Sequence, residues 1–84
     1  MLERKKNIEQ KIDGNSIILI KFGNNLRRIR VSKGLSQEKL ALENDFNRTY
    51  VSLLERGLRN PSLKTMYKLA SYMKASVSEL LEGI

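Results

Sequence analysis

From Phe22 onward, apolar residues recur three and four positions apart in short runs, and each run ends at a residue suited to stopping a helix. Phe22, Leu26 and Ile29 form the first stripe, which reaches about Lys33 and meets Gly34, a favourable helix C-terminal residue. Ser36 opens a second helix by offering an oxygen to a free amide, with Glu38 and Lys39 outward and Leu40 and Ala41 inward. Asn44 and Asp45, which both tolerate left-handed backbone, end it. Asn47 caps a third helix that carries Val51 and Leu54 inward and stops before Gly57. After a loop over residues 58–61, Ser62 starts a fourth helix with Leu63, Met66, Leu69, Ala70 and Met73 on one face. Ser76 or Ser78 caps a last short helix holding Val77, Leu80 and Leu81.

Upstream of Phe22 the pattern weakens. Leu2, Ile8 and Ile12 fit one short helix, and Asp13-Gly14-Asn15 reads as a turn. Residues 17–20, Ile-Ile-Leu-Ile, suit either a β-branched strand or the buried start of the next helix; the stripe that continues from Phe22 favours the helix. The expected organisation is an N-terminal extension over residues 1–16 and one all-α domain over residues 17–84, a bundle of about five short helices.

Eighty-four residues suffice for one small domain and for a binding surface, but not for the walls of a deep catalytic cleft. The sixteen lysines and arginines against nine acidic residues give a net charge of +7, which attracts polyanions, nucleic acid first. Residues 1–21 hold only five of the basic residues against three acidic ones, so the folded part is itself basic. The absence of cysteine and histidine excludes disulfides, thiol nucleophiles, Cys/His metal sites and imidazole-dependent triads. No cofactor or metal is expected, and the chain reads as no enzyme. The apolar run at residues 17–20 is too short for a membrane span or a signal-peptide core, so a cytoplasmic, nucleoid-associated location is expected.

The second helix, its tight turn and the third helix form the constellation that carries function. A helix-turn-helix needs a small residue where its two helices approach, as Ala41 supplies, and an apolar inner position on the second of them, as Val51 supplies. Residues 43–46 are short enough to make the reversal. The outward edge of the third helix then presents Arg48, Thr49, Tyr50 and Ser52, side chains able to read base edges in a major groove. Ser36, Gln37 and Asn47 stand at helix starts, and Arg56, Arg59 and Asn60 follow the third helix; all six are candidates for phosphate contacts.

The chain at this point resembles the Cro and phage-repressor type of helix-turn-helix regulator, the xenobiotic-response-element family. The matching residues are Leu26-Arg27, Arg30 and Gly34-Leu35-Ser36-Gln37-Glu38-Lys39-Leu40-Ala41, followed by Arg48-Thr49-Tyr50-Val51-Ser52, Leu54-Glu55-Arg56-Gly57 and Arg59-Asn60-Pro61-Ser62-Leu63. The later strings are similar to those of restriction–modification controller proteins. The resemblance implies a lambda-repressor-like fold and a sequence-specific regulator of transcription. It also implies a homodimer formed through the last two helices on a two-half-site operator, with RNA polymerase a further candidate partner. It pairs Arg30 with Glu55 in a partly buried ion pair. The sequence departs from the pattern at Asp45, where glycine is usual, at Phe46, where valine is common, and at Asn47, where serine often caps.

The polar edge at residues 48–52 would be an ordinary solvated face were the whole motif not in register, and the Tyr50 ring could pack on the turn near Asn44 instead of reaching DNA. The apolar stripe of the last two helices is mostly core, yet Tyr72, Val77, Leu80, Leu81 and Ile84 are expected to form a dimer contact, because so small a monomer rarely hides all of it. Two Ser-x-x-Lys strings and one Asn-x-Thr sequon lack any supporting context and carry no weight. The alternative function is that of an antitoxin or adaptor whose main role is to hold a protein partner through the N-terminal extension.

Overall fold

In a computed structural model that describes residues 14–84, the stop signals in the sequence separate five helices, with no strand among the described residues. These are α1 (Gly14–Ser32), α2 (Gln37–Leu42), α3 (Arg48–Glu55), α4 (Leu63–Tyr72) and α5 (Val77–Leu80). Four of the starts are capped from the side chain. Ser36, Asn47, Ser62 and Ser76 accept the amides of Lys39, Tyr50, Thr65 and Glu79 at 2.8–3.1 Å. Glu79 returns the favour by accepting the Ser76 N–H at 3.0 Å, so the cap of α5 is Ser76 and not Ser78.

The reversal after α2 divides its work between two residues. Buried Asn44 donates from Nδ2 to the Leu40 carbonyl at 2.8 Å, while Asp45 alone turns left-handed, at φ 59°. The core joins Phe22, Leu26 and Ile29 of α1 to Leu40 and Ala41 of α2, Val51 and Leu54 of α3, and Leu69, Ala70, Met73 and Leu80 from the C-terminal part. Each buried leucine stabilises the fold by roughly 1.5–3 kcal/mol.

Two features fix α1 against the rest. At Gly23 a Cβ would stand 2.5 Å from the Glu55 carbonyl oxygen and 2.6 Å from that of Leu54, so the end of α3 lies directly on the α1 backbone. Two residues on, Asn25 Nδ2 donates to the Leu80 and Glu82 carbonyls at 2.9 and 2.8 Å. Lys21 Nζ donates to the Gly83 carbonyl at 3.1 Å, and Arg28 pairs with Glu82 at 3.2 Å. Lys21, Asn25 and Arg28, about one turn apart along α1, thus hold the end of α5 and the residues that follow it.

The structure corrects several expectations. Gly14 and Asn15 belong to the first turn of α1, not to a turn before it. Amides of a first turn need no partner four residues back, so these two residues cost little there. Ile17, Ile18 and Ile20 are helical as expected but more than 40% exposed. Leu63 is also exposed, as the first residue of α4. Leu80, expected at a dimer contact, has no accessible surface because the monomer's own core encloses it. The expected helix at Leu2, Ile8 and Ile12, and most of the extension over residues 1–16, lie outside the described residues.

Candidate nucleic-acid interface

The interface is built on an ion pair. Arg30, on α1, and Glu55, the last residue of α3, are both more than 90% buried. Arg30 Nε donates to Glu55 Oε2 at 2.5 Å and Nη2 to Oε1 at 3.0 Å, a two-pronged contact, while Nη1 donates to the Leu35 carbonyl at 2.7 Å. A carboxylate at a helix C-terminus faces the negative end of the helix dipole and would be unfavourable unpaired. The guanidinium resolves this and ties α1 to α3, the role expected of the pair.

Gln37 completes the network. Its Nε2 donates to Glu55 Oε1 at 3.0 Å, which holds the start of α2 against the end of α3. Sequence reasoning placed Gln37 among the phosphate contacts and missed this second bond.

Above the pair opens a groove of about 750 Å³. Ser36, Gln37, Arg48, Ser52 and Arg56, all expected to touch DNA, line it together. Arg30 and Glu55 cancel each other, so the remaining charges are Arg27, Arg48 and Arg56 against Glu38 alone. The groove therefore favours an anion. Ser36 Oγ accepts the Lys39 amide, and its hydroxyl proton stays available to donate. Asn24 and Arg27 of α1 line the same groove and had been given no role. The signal was present, since Arg27 precedes Arg30 by one helical turn.

The other expected residues lie outside this groove. Thr49 and Asn47 are exposed at the start of α3, where the Asn47 oxygen is engaged by the Tyr50 amide. The Tyr50 ring is half-buried against Phe46, centroids 5.0 Å apart and planes at 57°, with the Arg59 guanidinium 6.0 Å from its centre. Lys68 sits over Phe46 at 5.1 Å. The aromatic at position 46 thus forms a platform for the third helix, which a valine would not provide. Asn60 lies apart, beside Pro61, Ile18, Leu19, Met66 and Leu81 in a small apolar depression.

Of the expected dimer residues, Leu81 and Ile84 are exposed, and Tyr72 and Val77 are half-buried against the core. Tyr72 lines a different depression, with Lys33, Leu35 and Met73. No described helix is long and apolar enough to cross a membrane.

This arrangement has close parallels. Residues 26–80 match the model of the helix-turn-helix family HTH_3. The control protein C.BamHI of Bacillus amyloliquefaciens is 46% identical over 69 residues, 81% of this chain and 84% of that protein. C.MunI, a control protein of Mycoplasma sp, is 43% identical over 68 residues, 80% of this chain and 92% of that protein. The crystal structure of the restriction–modification controller protein C.AhdI from Aeromonas hydrophila matches with a TM-score of 0.71 at 48% identity, covering 74% of this chain and 94% of that one. With the paired helices, their tight turn and the buried Arg30–Glu55 bridge in place, the chain belongs to the helix-turn-helix family.

Proposed function

We propose that this chain regulates transcription by binding double-stranded DNA in a sequence-specific manner, and that it is the controller of a restriction–modification system. The observation that carries the first part is the basic groove over the buried ion pair, with Arg48 and Ser52 of α3 and Arg56 just after it beside the capped start of α2. Similarity to C.BamHI, C.MunI and C.AhdI supports the second.

In this reading the start of α3 enters the major groove. Arg48 donates to guanine N7 and O6, Thr49 offers a hydroxyl and a methyl, and Ser52 adapts to donor or acceptor edges. Tyr50, packed on Phe46, sets the rim of this surface more than it reads bases. Ser36, Gln37, Asn47, Arg56 and Arg59 hold phosphates and fix the register, whereas Asn60, seated in the apolar depression beside Leu81, takes no part in this reading. Two copies bind through a face that includes Leu81, Ile84 and Val77, extended by the apolar depression that Leu81 shares with Ile18 and Met66. Their α3 helices then meet successive major grooves about 34 Å apart. Binding is the whole mechanism: occupancy of the operator blocks or recruits RNA polymerase.

Selection of bound sites from a pool of random duplexes tests the reading. The expected result is one enriched site with two symmetry-related halves. A pool that yields no preferred duplex overturns it. The controller assignment is tested by where the selected site falls; a position upstream of neither a methyltransferase nor an endonuclease gene refutes it.

A further inference from the structure

Of the four arginines in the groove, Arg30 is locked to Glu55 and Arg48 and Arg56 are expected on DNA, which leaves Arg27 without a role. It is exposed, it pairs with no carboxylate among the described residues, and it lines the groove together with Arg48 and Arg56. Its neighbour Arg28 differs on each count that matters, being turned to Glu82 at 3.2 Å and absent from the groove lining. Asn24, one turn before Arg27, lines the same groove and gives that edge of α1 a neutral donor beside the charge.

The position of α1 is unusually well fixed. Gly23, next to Asn24, rests on the carbonyls of Leu54 and Glu55, and Arg30, one turn after Arg27, is locked to Glu55. The backbone that carries Arg27 therefore cannot shift relative to α3 without breaking both contacts. A charged side chain on so rigid a base loses less freedom on binding than one on a loop.

We infer that Asn24 and Arg27 form a third edge of the DNA-binding surface, on α1, where Arg27 neutralises a backbone phosphate of the strand that crosses the groove. The inference rests on the DNA-binding reading above and adds to it a helix outside the helix-turn-helix pair. Phosphate contacts position without carrying sequence information, so Arg27 strengthens binding to all duplexes alike and helps fix the angle at which α3 enters.

The test measures affinity and its salt dependence for the full chain on its selected duplex and on an unrelated duplex. Wild type, Arg27→Ala, Arg27→Lys and Arg28→Ala are compared. Arg27→Ala is expected to weaken both duplexes by the same factor, on the order of tenfold. It is also expected to lower the slope of log affinity against log salt by about 1, since one fewer counterion is released. Arg27→Lys keeps the slope because it keeps the charge, and thermal unfolding of all variants stays near wild type. An Arg27→Ala slope equal to wild type overturns the inference and leaves the DNA-binding reading standing. An equal drop for Arg28→Ala also overturns it, by reducing the effect to net charge, and loss of base preference at one position would make Arg27 a reader of bases instead. A wild-type chain that binds no duplex overturns inference and reading together.

Discussion

Asp45 occupies the left-handed position that reverses the chain between α2 and α3, at φ 59° and in solvent. An L-residue there pays a steric penalty that glycine lacks, softened for aspartate by its short polar side chain. Asp45→Gly should therefore stabilise the fold by about 0.5–1 kcal/mol, read as a rise of a few degrees in thermal midpoint with operator affinity unchanged. Gly23 shows the opposite constraint. Its Cβ would meet two backbone carbonyls inside 3 Å, and backbone cannot give way as a flexible side chain can. Gly23→Ala should cost about 2–3 kcal/mol of stability in denaturant titration. A neutral outcome would mean that α1 and α3 approach less closely than described.

At the scale of elements, α2, α3, α4 and α5 were legible because their starts are written locally, as a Ser or Asn ahead of an apolar stripe, whereas the stop after α4 falls on left-handed Lys74, which no local signal marks. What was not legible depends on contacts between elements. Nothing local says that Gly23 touches α3, that Asn25 caps the carbonyls after α5, or that Gln37 donates to Glu55. The same limit applies to Ile17, Ile18 and Ile20, since an apolar run does not reveal which of its faces the neighbouring elements cover. Of the candidate site, the motif brings Ser36, Arg48, Ser52 and Arg56 to one groove, whereas nothing in the motif points to Asn24 and Arg27, which line the same groove from a helix outside it. The Arg30–Glu55–Gln37 network yields a paired prediction. Glu55→Ala leaves a buried guanidinium unpaired and should cost about 3–5 kcal/mol in unfolding free energy. Gln37→Ala leaves the ion pair intact and should lose no more than about 1 kcal/mol of stability, while binding weakens equally on all sequences. A change of base preference in Gln37→Ala would contradict its assignment to a phosphate.

At the scale of the whole molecule, the proposed dimer depends on the surface around Leu81. The C-terminal carbonyls are held by Lys21 and Asn25, and Arg28 clamps Glu82, so Leu81 sits on a surface braced by α1. Leu81→Lys should leave the monomer folded, because the side chain is already partly in solvent, but shift sedimentation from dimer to monomer. Leu80→Ala, one residue earlier, should instead cost about 2.7–5 kcal/mol of folding free energy by opening a cavity in the core. A Leu81→Lys chain that remains dimeric would place the contact elsewhere.

The central claim is that the start of α3 reads base pairs through Arg48. It is tested most directly by measuring the affinity of wild type and Arg48→Ala for every single-base variant of the selected half-site. The account predicts that wild type discriminates at one guanine by about 1–3 kcal/mol and that Arg48→Ala abolishes discrimination at that position only. Should Arg48→Ala weaken all variants by one common factor, the arginine is a phosphate clamp and the proposed reading head is wrong.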